Sequence, residues 1–143
     1  MDEIKRFREN TRILKCHLGN INMTGCCCGI SEAQFFVLIE IGRKSNISLK
    51  ELAEILRLDK SGISRTVEEL VQKNYVERKP AEDDRRFVVL NLTQKGKEHF
   101  ERIEKDMNQK FKQILDKIPT DKRAQVIEAL ELYNLACDEI NKN

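Results

Sequence analysis

The fold turns on Ser48-Leu49-Lys50-Glu51-Leu52-Ala53-Glu54-Ile55-Leu56, Arg57-Leu58 and then Asp59-Lys60-Ser61-Gly62-Ile63-Ser64-Arg65. Ser48 with Glu51 three residues on has the form of a capping box: the hydroxyl can accept a free backbone amide while the glutamate reaches back. It predicts a helix that buries Leu49, Leu52, Ala53 and Leu56. After the short turn, Asp59 can cap a second helix running to about Lys73, with Ile63, Val67, Leu70 and Val71 as its buried stripe. Two short helices joined this tightly have the form of a helix-turn-helix. Tyr75 to Lys79 then reads as a strand that Pro80 ends, and Phe87 to Leu92 is β-rich and predicts its partner. The residues between, Ala81 to Arg86, are left as an exposed hairpin tip. Helix-turn-helix followed by hairpin is a winged helix.

Outward from this core, Ser31-Glu32-Ala33-Gln34 is another capping box. It opens a helix through Phe35, Phe36, Val37, Leu38, Ile39 and Ile41 that ends near Gly42; apolar on most faces, it is expected to be central. Asp2 to about Met23 predicts an amphipathic helix with Ile4, Phe7, Leu14, Leu18 and Ile21 in one seam. Downstream, Thr93 is expected to cap a long helix carrying Phe100, Ile103, Met107, Phe111, Ile114 and Ile118, which Pro119 terminates. Thr120 is expected to open the last helix, with Val126, Leu130, Tyr133, Cys137 and Ile140 on one stripe. The order is four helices, two strands, two helices. The fold class is mainly α with a small β-hairpin, one domain over 1–143 with a winged-helix lobe at 48–93.

The 143 residues are 40% hydrophobic and 35% charged, as suits one compact domain. No apolar run approaches the ~18 residues that span a bilayer, and the first residues lack a secretory pattern, so no membrane partner and a cytoplasmic location are expected. Net charge is +2, from 26 basic and 24 acidic side chains, and residues 48–92 carry nine of each sign. Bulk charge therefore makes no case for nucleic acid; individual positions must.

They do so on the second helix of the pair. With the apolar stripe turned inward, Ser61, Ser64, Arg65 and Glu68 face out and Lys60 stands at the helix start. Small hydroxyls and Gly62 allow close approach to phosphate, the helix N-terminus favours an anion, and Arg65 can reach a guanine edge in a major groove. A solvated face would have the same composition; the charged wing beside it selects the DNA reading. There, Glu82-Asp83-Asp84-Arg85-Arg86 puts two guanidiniums on a narrow ribbon, which suits a minor groove, and Asp84 is expected to hold a neighbouring arginine in place.

The run from Ser48 to Gly96 resembles the multiple-antibiotic-resistance regulator (MarR) family of winged-helix repressors. The resemblance is carried by Leu52-Ala53, by Leu58 to Arg65, by Asp84-Arg85-Arg86 and by Leu90-Asn91-Leu92-Thr93-Gln94-Lys95-Gly96. It implies a sequence-specific DNA-binding transcriptional regulator, a repressor released by an effector; the cysteines of this chain add a thiol or metal signal as the expected trigger. It further implies a homodimer on palindromic double-stranded DNA, with dimerisation helices at 1–22 and 94–143. By residue, it points to Ser61, Ser64 and Arg65 for the major groove and to Arg86, beside Asp84, for the minor groove. The surplus apolar stripe of the terminal helices independently predicts association.

Five cysteines without an export signal are expected to be reduced thiols. Cys26-Cys27-Cys28 leaves three readings open. The thiolates could hold a soft metal or metalloid effector, with Cys16 or His17 as a further ligand; they could be oxidised; or they could simply pack. The spacing matches no C-x-x-C zinc site. A small organic molecule is the other effector class, and no cofactor is required. The alternative function is a cytosolic thiol redox or metal-handling protein using Cys26–Cys28, which would not need a winged helix. No phosphate loop, zinc-protease motif or nucleophile elbow occurs, which points away from an enzyme. Cys137 is expected to be buried and inert, and His17 and His99 to be surface or capping groups.

Overall fold

A computed structural model of the chain describes residues 2–21 and 29–142. α1 (Glu3–Asn20) starts on Asp2, whose carboxylate accepts the Ile4 N–H, and none of its residues is buried. α2 (Glu32–Arg43) opens with the expected reciprocal box: Ser31 Oγ accepts from Gln34 N–H at 3.2 Å and Gln34 Oε1 from Ser31 N–H at 3.3 Å. α3 (Leu49–Leu56) repeats the device with Ser48 and Glu51. α4 (Lys60–Gln72) is capped by Asp59. β1 (Val76–Pro80) pairs antiparallel with β2 (Val88–Leu92), from Val76 opposite Leu92 to Pro80 opposite Val88. α5 (Gln94–Asp116), a 3₁₀ turn (Thr120–Lys122) and α6 (Arg123–Asn141) complete the chain. Among the described residues no helix is long and apolar enough to cross a membrane.

The chain divides into two compact units, Met1–Met107 and Asn108–Asn143. In the first, α2 lies against α3, α4 and β2. Val37, Leu38 and Ile41 of α2 meet Ile47, Leu52, Ile63, Val67, Leu70, Leu90 and Ile103 in one buried cluster. Ile47 also extends the hairpin by a bridge to Leu90, whose N–H donates to the Ile47 carbonyl at 2.8 Å. In the second unit, Arg123 Nε donates to the Ile118 carbonyl at 3.0 Å, holding the turn before α6.

Several local expectations are corrected. α1 stops at Asn20, where Ile21 turns extended, rather than near Met23. Pro80 closes β1 as its last paired residue; a strand with one partner leaves an edge where a missing N–H is tolerated. Thr120 starts a 3₁₀ turn without a side-chain cap, and α6 proper begins at Arg123. Cys137 is half-buried, and a hydrogen bond with it holds the Tyr133 phenol above its ordinary range. His99 is no surface group: its ring packs edge-on to Tyr75 at 4.6 Å and its Nδ1 is buried without a hydrogen-bond partner among the described residues. Burial, then the nearby charges of Arg102 and Lys95, hold it below the ordinary histidine range.

The Leu92-Thr93-x-x-Gly96 run has a packing reason. Thr93 Oγ1 accepts from Gly96 N–H at 3.0 Å and donates to the Asn74 carbonyl at 2.6 Å, while Thr93 N–H donates to the Tyr75 carbonyl at 3.0 Å. α5 is thereby pinned to the turn that joins α4 to β1. A Cβ on Gly96 would sit 2.1 Å from the Tyr75 carbonyl oxygen, a backbone atom that cannot swing away. Gly96→Ala should therefore destabilise by about 1–3 kcal/mol, as overpacking does. Gly19→Ala, in α1 with nothing within 4 Å of its Cβ, should be neutral or stabilising. Denaturant melts of the two variants check this, and an unshifted Gly96→Ala midpoint contradicts the packing account.

Candidate nucleic-acid interface

α4 turns Ile63, Val67 and Leu70 into the core, so Lys60, Ser61, Ser64, Arg65 and Glu68 stand on the exposed side. Asp59 Oδ1 accepts from Gly62 N–H at 2.7 Å and from the Ser61 hydroxyl at 3.2 Å. A Cβ at Gly62 would lie 2.9 Å from that same oxygen, so Gly62 serves the cap. The expected Asp59 cap thus places the chain's own carboxylate at the start of α4, beside any phosphate that approaches there. Cationic reach on this face comes from Lys60 and Arg65, neither of which is ion-paired among the described residues.

The wing is built as two linked parts. Near its base, Arg78 Nη2 pairs with Glu68 Oε2 of α4 at 2.5 Å, and this pairing holds the Glu68 carboxyl below its usual range. At the tip, the Asp84 carboxylate accepts four bonds from Arg86: the backbone N–H at 3.1 Å, Nε at 3.0 and 3.2 Å, and Nη2 at 2.7 Å. The Arg86 guanidinium holds the Asp84 carboxyl below its usual range, and the carboxylate raises the guanidinium in turn. The Arg86 side chain remains 85% exposed, so it is oriented without being hidden. Phe87 lies beneath it, ring centroid 6.0 Å from the guanidinium carbon. Arg85 is exposed beside it.

Arg78 and Phe87 were missed in the sequence. Register carried a usable signal for Arg78, which lies opposite Leu90 and so on the core-facing side of the hairpin, towards α4. Cys26, Cys27 and Cys28 lie outside the described residues. Cys16 is exposed on α1, and among the described residues no group of three His, Cys, Asp or Glu side chains could hold a metal ion.

The sequence profile of the MarR family matches residues 29–86. The chain is 32% identical over 103 residues to the HTH-type transcriptional regulator BilQ of Clostridium symbiosum, covering 72% of each protein. It is 34% identical over 101 residues to the multiple antibiotic resistance protein MarR of Escherichia coli K12, covering 71% of this chain and 70% of that protein. Its fold matches Streptococcus pneumoniae FabT, solved in complex with DNA, with TM-score 0.79 and 23% identity over 96% of this chain and 99% of that one.

The Asp84–Arg86 pair has a pH signature whose sign is fixed. A carboxyl depressed in the folded chain keeps its pairing above the unfolded carboxyl pKa of about 4 and loses it only as pH falls through the lower folded value. The Arg86 Nε–H resonance should stay dispersed from neutral pH to below about 4. In Asp84→Ala it should join the free arginine signals at every pH. An Asp84→Ala spectrum with an unmoved Arg86 signal contradicts the pairing.

Proposed function

We propose, because the chain belongs to the MarR family of transcriptional regulators, that it acts as a homodimeric repressor whose α4 face and wing tip read the two grooves of a palindromic operator. The observation that carries this is the joining of the two reading parts. Arg65 on α4, unpaired among the described residues, and a preset Arg86 on the wing belong to elements tied by the Glu68–Arg78 pair. Arg65 supplies a base-edge contact in the major groove, with Ser61 and Ser64 alongside. Arg86 suits the narrow minor groove, where the negative potential is concentrated. Lys60 and Arg85 add phosphate contacts, which set orientation without reading sequence.

Exposed apolar side chains support the dimer. Ile4 and Phe7 on α1 are 67% and 58% exposed, and Leu132 and Ile140 on α6 are 59% and 72% exposed. Stripes of this size on a single chain favour association. A two-fold dimer places its recognition helices about one turn of DNA apart, ~10 bp centre to centre. Operator selection from random duplexes, read beside sedimentation, tests the proposal. A palindrome and a dimer at micromolar protein are expected, and Arg65→Ala should lose discrimination at one base pair at a cost of about 1–3 kcal/mol. A monomer that selects no palindrome overturns it.

Release by a thiol signal at Cys26–Cys28 belongs to the same proposal and is carried by residue type, since soft thiolates suit Cu(I), a trivalent metalloid or an oxidant. DNA affinity should fall on adding oxidant or soft metal to the wild type but not to a variant with all three changed to Ser. Equal responses overturn this part and leave an organic effector.

A further inference from the structure

Among the described residues Gln34 is the one buried polar side chain, 6% exposed, and its amide is oriented by its neighbours. Its Oε1 accepts from Ser31 N–H at 3.3 Å and from Lys73 Nζ at 2.8 Å. With two donors on the oxygen, the NH₂ must point the other way. There it donates to Glu69 Oε2 on α4 at 2.5 Å. Lys73 also bonds the Gly29 carbonyl, anchoring the group to the chain just before α2.

Glu69 lies four residues after Arg65 on α4, the spacing at which opposite charges meet on a helix surface. Arg65 nonetheless has no ion-pair partner among the described residues, and the Glu69 carboxylate accepts from Gln34 of α2 instead. Magnitudes favour this outcome: a part-buried hydrogen bond to a charged group is roughly several times stronger than an exposed i,i+4 ion pair.

We propose that Gln34 is a positioning residue for DNA recognition: by holding Glu69 against α2 it keeps the carboxylate off Arg65 and leaves that guanidinium free to read a base. The proposal rests on the DNA-reading role of Arg65 and adds a device that no surface feature of α4 reveals. Without the Gln34 donor, the Glu69 carboxylate is released to the two cations one turn away, Arg65 and Lys73, and the share that goes to Arg65 competes for it in the free protein and repels DNA in the complex. An i,i+4 pair alone accounts for about a twofold loss, and repulsion by the carboxylate extends this towards about tenfold.

The test compares operator binding and base discrimination for wild type, Gln34→Ala, Glu69→Gln and the double variant, with a thermal melt of each. Gln34→Ala should reproduce the base-specific defect of Arg65→Ala in milder form. Glu69→Gln keeps a carbonyl acceptor but cannot ion-pair, so it should bind at least as well as wild type. The double variant should regain the discrimination that Gln34→Ala loses, a rescue that loss of packing at position 34 would not show. Ser31→Ala disturbs the start of α2 while leaving the Gln34 donor, and should keep full discrimination. If Gln34→Ala does not fold, Gln34→Leu, close in volume, takes its place. Undiminished discrimination in the folded Gln34 variant, or a defect that persists in the double variant, overturns the proposal while the DNA reading stands. A wild type that selects no DNA overturns both.

Discussion

Everything in the first unit answers to the burial of α2. Six of its twelve residues are buried, and they fall on several sides of the helix, so no single neighbour can cover it. α3, α4 and β2 each take a side. Leu38, Ile47, Leu52 and Leu90 are wholly buried at their meeting, where cutting one leucine to alanine costs about 2–5 kcal/mol. α4 is therefore placed by the core: its inner face is fixed by Ile63, Val67 and Leu70, and its outer face is what remains.

What was legible in the sequence is what depends on near neighbours in the chain. Ser31 with Gln34, Ser48 with Glu51 and Asp59 before α4 all signal caps within three residues, and the structure forms all three. The inward stripe of α4 follows from helical period, and the two strands from β-rich runs beside Pro80. The interactions that join elements were not legible, because their partners lie far apart in sequence. Glu68 with Arg78 spans 10 residues and Gln34 with Glu69 spans 35. Gln34 shows the difficulty well. Its capping role accounts for its presence in the sequence, so nothing there signals that its amide also reaches across the core. His99 was misjudged for a similar reason: Tyr75, which packs on it, lies beyond the hairpin.

Gly62 and Gly96 teach opposite lessons about small residues in a motif. At Gly62, expected to leave room for a phosphate, the space is bordered by Asp59; Gly96, which the resemblance alone singles out, seats α5 against the Tyr75 carbonyl. Both glycines serve close contacts within the chain. An acidic cap already stands at the start of α4, which puts the weight of the proposed DNA contact on its long side chains.

The charge balance of residues 48–92 bears on the proposed DNA reading. Nine basic and nine acidic residues between 48 and 92 give no net attraction for a polyanion. Several of the acids are committed: Glu51 to Lys44, Glu68 to Arg78, Asp84 to Arg86 and Glu69 to Gln34. These pairings act differently on the bases they involve. Glu68 occupies a base on the wing strand, Asp84 orients one at the tip, and Gln34 diverts an acid from the one on α4. A lobe with no excess charge has little of the sequence-independent attraction that dominates non-specific binding. On the proposed reading its discrimination comes from which few cations are free and where they point, and that is set by neutral and acidic side chains as much as by the arginines themselves.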